Sequence, residues 1–77
     1  MKRRRVIYGS ALKHGFKESE ILWVLDHTPY IFDHDEIHSI YYWWIRDIPV
    51  EIITDLGVSY LELVHHCRRT RERFWEW

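Results

Sequence analysis

The sequence predicts a single α+β domain over residues 1–77, with an N-terminal helix packed on a three- to four-stranded antiparallel sheet and a short C-terminal helix or tail. Two observations predict this fold class. Apolar residues recur at helical spacing after Lys17, and their period changes to two after Pro29. The links between the later apolar runs are shorter than the roughly dozen residues that a parallel crossover needs, so those strands should be antiparallel neighbours. A chain of 77 residues leaves no room for a second domain.

The helix has the clearest limits of the predicted elements. Glu18 and Glu20 lie in its first turn, where the helix dipole favours acidic side chains. Thr28-Pro29 ends it, because the residue before a proline disfavours helical geometry. Trp23 and Val24 widen its apolar face, so we expect the helix to lie on the sheet.

Strand-like runs surround this helix. Residues 4–8 predict a short edge strand, and Ser10 as N-cap with Gly15 beyond the end predicts one helical turn between them. The runs after the helix cover residues 30–33, 37–45, 50–55 and 60–67. Trp43 and Trp44 alternate along the longest run, so at least one of them should enter the core.

Charge is segregated along the chain, although the formal net charge is only −1. Residues 1–17 carry a net +6, residues 18–67 carry −9 and residues 68–77 carry +2. If the two ends meet in space, they form a basic surface that attracts polyanions, beside an acidic one that attracts cationic partners. The alternative is that the terminal Lys and Arg side chains are simply solvated.

Composition excludes several classes of protein. Apolar residues make up 47% of the chain and charged residues 30%, which rules out a disordered tail or a low-complexity linker. The single cysteine, Cys67, excludes an internal disulfide and a four-cysteine zinc site, and it favours a reducing compartment. No apolar run reaches the roughly 18 residues of a membrane span, and the basic start lacks the apolar stretch of a signal peptide. We therefore expect a cytoplasmic protein with no membrane partner.

The sequence LKHGF at residues 12–16 precedes a predicted helix that begins with acidic residues, and the sequence VHHCRRTRER follows at residues 64–73. In this order, the two motifs resemble the start and the end of the BrnT-like toxins, a family of small bacterial ribonucleases of type II toxin–antitoxin systems. The resemblance implies a RelE-like fold, in which a curled antiparallel sheet packs on an N-terminal helix. It also implies an endoribonuclease without a cofactor, which cleaves RNA and is inhibited by a cognate antitoxin protein.

Cleavage of RNA without a metal needs a base for the 2′-OH proton, an acid for the leaving oxygen and cations for the phosphate. We predict His14 and His66 as the proton-transfer residues, and Arg68 and Arg69 as the residues that stabilise the phosphate. Glu72 is a candidate base. The stronger interpretation is that, if this end of the chain is helical, Glu72 forms an ion pair with Arg68 one turn away. Further basic residues are predicted to contact RNA: Lys13, Lys17, Arg71 and Arg73.

These residues also have structural interpretations. His14 could end the short helix by donating to free carbonyl groups, and the arginine run could be a solvated face. His65 and His66 alternate along a strand, so at most one of them should face a given site. No metal site is predicted, because neither His65-His66-Cys67 with His14 nor Asp33-His34-Asp35 with His38 has the ligand spacing of a zinc site.

The alternative function is a non-catalytic interaction module of the same fold, which binds protein or nucleic acid through its basic ends. The enzyme requires the turn near residue 14 and the end of the chain to converge on one patch, whereas the module requires only surface charge. A DNA-binding domain is disfavoured, since no basic helix-turn-helix pattern is present. The five tryptophans exceed what a small core holds, which favours a partner interface over base stacking, either in a homodimer or in a toxin–antitoxin hetero-oligomer.

Overall fold

The computed structural model of the chain describes residues 4–58 and 61–70. These residues form one five-stranded sheet in the order β1-β5-β4-β3-β2, together with one α-helix. The elements along the chain are β1 (Arg5–Ile7), a 3₁₀ turn (Gly9–Ala11), α1 (Glu18–His27), β2 (Tyr30–Asp33), β3 (His38–Ile45), β4 (Ile48–Leu56) and β5 (Glu62–Arg69). The predicted α+β class is confirmed.

The sheet is mixed, so the prediction of three to four antiparallel strands is wrong. The pairs β2–β3, β3–β4 and β4–β5 are antiparallel, as their short links require. β1 instead pairs in parallel with β5. These two strands lie near opposite ends of the chain, and the intervening elements supply the long connection that a parallel pair needs. β1 is an edge strand, as predicted for residues 4–8, so a strand precedes the helix.

The helix α1 runs from Glu18 to His27, within the predicted limits. The backbone N–H of Lys17 donates to the Glu20 carboxylate at 2.9 Å, which satisfies one of the free donors at the helix start. The prediction that Trp23 joins the buried face is wrong, since this residue is 51% exposed. The buried side chains are Ile21, Val24 and Leu25, and position 23 lies away from the stripe that they form. No helix in the described part of the chain is both long and apolar enough to cross a membrane.

The turn before α1 differs from the prediction in its cap. The 3₁₀ turn begins at Gly9 with Tyr8 as its N-cap, so Ser10 lies inside the turn. The Ser10 hydroxyl donates instead to the backbone carbonyl of His65 at 2.6 Å, and this bond ties the segment to β5. Gly15 has a φ of 85°, the left-handed geometry expected of a glycine after a helical turn.

β4 and β5 extend beyond their predicted limits. Arg46 and Asp47 have φ values of 49° and 64°, as in the two-residue turns of tight β-hairpins, and they join β3 directly to β4. β4 therefore begins at Ile48 rather than at residue 50. β5 continues to Arg69, so Arg68 and Arg69 belong to a strand and point to opposite faces of the sheet.

The two faces of the sheet differ in what covers them. One face packs on α1 and contributes buried side chains to the core: Tyr41, Ile45, Val50, Ile52, Val64 and Cys67. The opposite face, called the outer face below, carries the side chains that alternate with these: His38, Tyr42 and Trp44 on β3, Glu51, Ile53 and Asp55 on β4, and His66 and Arg68 on β5. Trp43 packs against the core and Trp44 is 41% exposed, so one of the two enters the core as predicted.

A buried carboxylate joins the helix to the sheet. Glu62 is 1% exposed and accepts hydrogen bonds from Arg5 Nε at 2.9 Å, from the Tyr41 hydroxyl at 2.7 Å and from the Thr54 hydroxyl at 2.9 Å. Arg5 also donates to Asp26 of α1 at 2.5 Å. Buried charges persist only when they are paired and hydrogen-bonded, so this network holds four strands and α1 in one arrangement.

Candidate functional site

Strand β5 contains a β-bulge at His65. Ile53 of β4 lies opposite His66, and the next residue of β4, Thr54, lies opposite Val64. His65 is therefore an extra residue without a cross-strand partner. A bulge of this kind interrupts the alternation of side chains along a strand, so neighbouring residues no longer point to opposite faces.

Both neighbouring histidines lie on the outer face. His66 is opposite Ile53, which belongs to that face. His65 Nε2 lies 2.7 Å from Asp55 Oδ2, and Asp55 belongs to the same face. The prediction that at most one of these two histidines faces a given site is therefore wrong, and the bulge is the reason.

His65 is held both through its ring and through its backbone. The Tyr8 ring meets the imidazole edge to face, with 4.8 Å between ring centroids and 70° between planes. Ser10 binds the His65 carbonyl, as described above. The ring nitrogen Nε2 is buried 2.7 Å from Asp55 Oδ2, and no hydrogen bond of aligned geometry reaches it from the described residues. The His65 side chain as a whole remains 29% exposed and can meet a ligand.

Asp55 connects His65 to a second histidine. His38 Nε2 lies 3.3 Å from Asp55 Oδ1, and His38 Nδ1 lies 2.8 Å from Asp35 Oδ2. Asp35 also accepts the backbone N–H groups of Ile37 and His38. The hydrogen bond with Asp35 raises the pKa of His38, and the hydrogen bonds from His38 and Ile37 hold the pKa of Asp35 well below its usual range. Carboxylates and imidazoles thus alternate in the order Asp35, His38, Asp55, His65.

His66 and Arg68 extend this group along β5. They are two residues apart on the outer face, so their Cα atoms are separated by about 6.6 Å. His66 is exposed, while Arg68 Nε donates to Glu51 Oε1 at 2.7 Å. Glu51 binds only the Nε of Arg68, so this bond orients the guanidinium without using its two Nη groups. The predicted partner Glu72 lies outside the described residues.

The structure brings together only part of the predicted site. Arg69 lies opposite Val50 and so points to the face that packs on α1, away from His66. Lys13 and His14 are exposed in the loop before α1, and no hydrogen bond or ion pair within residues 4–58 and 61–70 joins either of them to β5. Lys17 is exposed at the start of α1. Two predicted RNA contacts fall outside the described residues: Arg71 and Arg73.

Sequence analysis did not assign four residues of the group to the catalytic site: Tyr8, Asp35, His38 and Asp55. Asp35 and His38 were considered there only as part of a rejected metal site. The turn residues around position 35 indicate a hairpin, and that hairpin brings His38 next to Asp35. The register of β3 and β4 then puts His38 opposite Asp55. No comparable signal exists for Tyr8, because its contact with His65 depends on the parallel pairing of β1 with β5.

The Cys67 thiol does not act as a nucleophile in this site. Burial raises the pKa of the Cys67 thiol to about 12, so it stays protonated and is a poor nucleophile near neutral pH. Among residues 4–58 and 61–70, no three His, Cys, Asp or Glu side chains form a group that could hold a metal ion.

Comparison of the chain with protein-family models, with curated proteins and with solved structures gives no match. The resemblance to BrnT-like toxins therefore rests on the two sequence motifs, and the fold and activity that it implies stay predictions.

Proposed function

We propose that this chain is a metal-independent endoribonuclease, the toxin of a type II toxin–antitoxin pair with a RelE-like fold, acting on RNA in the cytoplasm. The observation that carries the proposal is the bulge of β5, since it directs the imidazoles of His65 and His66 to one face that also holds Arg68. Two proton-transfer groups and a phosphate-binding cation are what metal-free RNA cleavage requires.

The proposed reaction uses the 2′-OH of the substrate as its nucleophile. The 2′-oxygen bonds to the adjacent phosphorus and the bond to O5′ breaks, so the products are a 2′,3′-cyclic phosphate and a 5′-OH. His65 takes the 2′-OH proton, and His66 gives a proton to the departing O5′. Arg68 binds the non-bridging phosphate oxygens, whose negative charge rises in the transition state.

Asp55 positions His65 in this scheme. Because Nε2 faces the carboxylate at 2.7 Å, Nδ1 is the nitrogen left to accept the substrate proton. The carboxylate then stabilises the imidazolium that forms, as a buried aspartate does for the histidine of a catalytic triad. His65 thus takes over a proton-transfer role that sequence analysis gave to His14.

A basic antitoxin fits the charge of this chain as its proposed inhibitor. Residues 18–67 carry a net −9, so the complementary segment of the partner should be cationic. Exposed apolar side chains at the rim of the sheet supply contact area: Val6, Ile31 and Ile37 are 38%, 46% and 52% exposed. The same surface could support a homodimer.

The proposal is tested by incubating the purified chain with single-stranded RNA in excess chelator. We expect fragments that end in a 2′,3′-cyclic phosphate and begin with a 5′-OH, while DNA of the same sequence stays intact because it lacks the 2′-OH. His66→Gln should slow cleavage at least about 100-fold, the usual contribution of general acid–base catalysis. His34→Gln is the matched control, because His34 is exposed in the turn after β2 and lies outside the group.

A non-catalytic interaction module is the second candidate function. The observation that favours it is the 2.7 Å bond between Arg68 and Glu51, which already gives the guanidinium a carboxylate partner. Under this alternative the chain binds RNA or protein without turnover. Intact RNA after incubation, together with binding that weakens as salt concentration rises, would select the module over the enzyme.

A further inference from the structure

A groove of about 410 Å³ lies between α1 and the end of β3. Six of the residues that line it are Ser19, Glu20, Trp23, Val24, Trp44 and Arg46. The groove opens where β3 extends beyond β2, since the pairing of these strands ends at Tyr42. Its volume falls within the usual range for small-molecule sites, about 300 to 1,000 Å³.

Two indole rings on this groove are fixed by aromatic neighbours. Trp23 stacks on His27 with 4.3 Å between ring centroids and 13° between planes, and it keeps 51% of its surface exposed. Trp44 meets Trp43 edge to face at 5.2 Å and is 41% exposed. Exposed tryptophans held in one orientation are suited to stacking against a flat ligand, because little conformational entropy is lost on binding.

The polar side of the groove is also held in place. Arg46 Nε lies 2.9 Å from Glu20 Oε2 in an ion pair, and Arg46 Nη2 donates to the Gly15 carbonyl at 3.3 Å. The Arg46 guanidinium lies 5.8 Å from the centre of the Phe16 ring. The Arg46 side chain is still 57% exposed, so it and the Glu20 carboxylate offer donors and acceptors beside the indoles.

We propose that this groove binds a nucleobase of single-stranded RNA, an inference that rests on the proposed ribonuclease function and adds a base-binding subsite to it. A base has a flat π surface for the indoles and a polar edge for Arg46 and Glu20, whereas an aliphatic side chain would leave that polar edge unused. The position also fits. Trp44 is the residue that links the groove to the outer face: it lies two strands across and two residues along from Arg68, so their Cα atoms are about 12 Å apart, while α1 forms the other side of the groove on the opposite face of the sheet.

The test is a titration of the full chain with GMP, AMP, UMP and CMP, observed through the indole N–H signals of its tryptophans in ¹H–¹⁵N NMR spectra. Ribose 5-phosphate is the control ligand, since it has the sugar and phosphate without the base. Trp23→Leu and Trp44→Leu assign the two signals and remove one stacking surface each. Both residues are substantially exposed, so both variants should fold.

We expect saturable shifts of the Trp23 and Trp44 signals with at least one nucleotide and none with ribose 5-phosphate. Trp23→Leu should weaken nucleotide binding about tenfold, the effect of losing one base–aromatic contact. Val58→Ser is the control variant, because Val58 is 85% exposed beyond the end of β4 that lies away from the groove, and its affinity should equal that of the wild type.

Three results would overturn the inference: no saturable shift with any nucleotide, equal shifts with ribose 5-phosphate, or unchanged affinity in Trp23→Leu. The first of these is also what a protein-binding groove would give. The readout separates the two proposals. If the chain binds nucleotides but does not cleave RNA, the base-binding subsite stands and the proposed ribonuclease function is wrong. If the chain cleaves RNA but nucleotides cause no shifts, the ribonuclease function stands and the base-binding subsite is wrong.

Discussion

Glu62→Gln tests the buried network that organises the fold. The substitution keeps the shape of the side chain but removes the charge that Arg5, Tyr41 and Thr54 bind. Breaking a buried ion pair costs about 3 to 5 kcal/mol. Arg5 keeps its bond to Asp26, so we expect the lower end of that range, about 3 kcal/mol. The whole domain should be stable by about 4 to 12 kcal/mol, given its 77 residues, so this loss is large.

Urea unfolding followed by tryptophan fluorescence measures this cost. With a slope of about 1 kcal/mol/M, the midpoint of Glu62→Gln should fall by about 3 M. Glu51→Gln is the matched control on the neighbouring strand, since Glu51 binds only the half-exposed Arg68 and should lose about 1 kcal/mol or less. Equal losses in the two variants, or an unchanged midpoint in Glu62→Gln, would refute the claim that the Glu62 network holds the fold.

Three further predictions concern single residues. Gly15→Ala should lower the stability measured by thermal unfolding by about 1 kcal/mol, because the φ of Gly15 is 85° and no atom crowds the new methyl group. Gly9→Ala is the control and should cost nothing, because position 9 is equally uncrowded and lacks a positive φ. Equal effects of the two substitutions would contradict the conformational explanation. Cys67 should react with a thiol reagent at least about 100-fold more slowly in the native chain than in urea, because burial raises its pKa to about 12; rapid native labelling would contradict that burial. The raised pKa of His38 means that the folded chain binds its proton more tightly, so this contribution to stability is present below the ordinary pKa of 6.5 and is lost as pH rises through the folded pKa. The stability advantage of the wild type over His38→Gln should therefore be present below about pH 6.5 and shrink as the pH rises above that value, and an advantage independent of pH would argue against the pair with Asp35.

The local parts of the fold were predictable from the sequence. The limits of α1 follow from the acidic residues at the start of the helix and from Thr28-Pro29 at its end. The short links between β3, β4 and β5 indicate that these strands are antiparallel neighbours. The pairing of β1 with β5 was not predictable in this way, because contacts between residues 5 and 62 depend on the whole intervening fold. The two-residue turn at Arg46 was also missed, since Asn-Gly or Asp-Gly is the usual signal for such a turn.

The candidate site was predictable only in part, and the bulge is the reason. His66 and Arg68 follow from the motif at the end of the chain, and strict alternation puts them on one face. Alternation also assigns His65 to the opposite face, where it would meet the core. One extra residue in β5 reverses that assignment and brings His65 against Asp55. Since a bulge has no dedicated residue signature when no glycine is present, the sequence alone did not indicate it.

The rate at which His65→Gln cleaves single-stranded RNA in excess chelator, relative to the wild type and to His34→Gln, tests the central claim most directly. If the imidazole beside Asp55 is the general base, the wild type and His34→Gln cleave at equal rates and His65→Gln is at least about 100-fold slower with an unchanged circular dichroism spectrum. Equal rates in all three proteins would remove His65 from the reaction, and with it the outer face of the sheet as the place where the chemistry occurs.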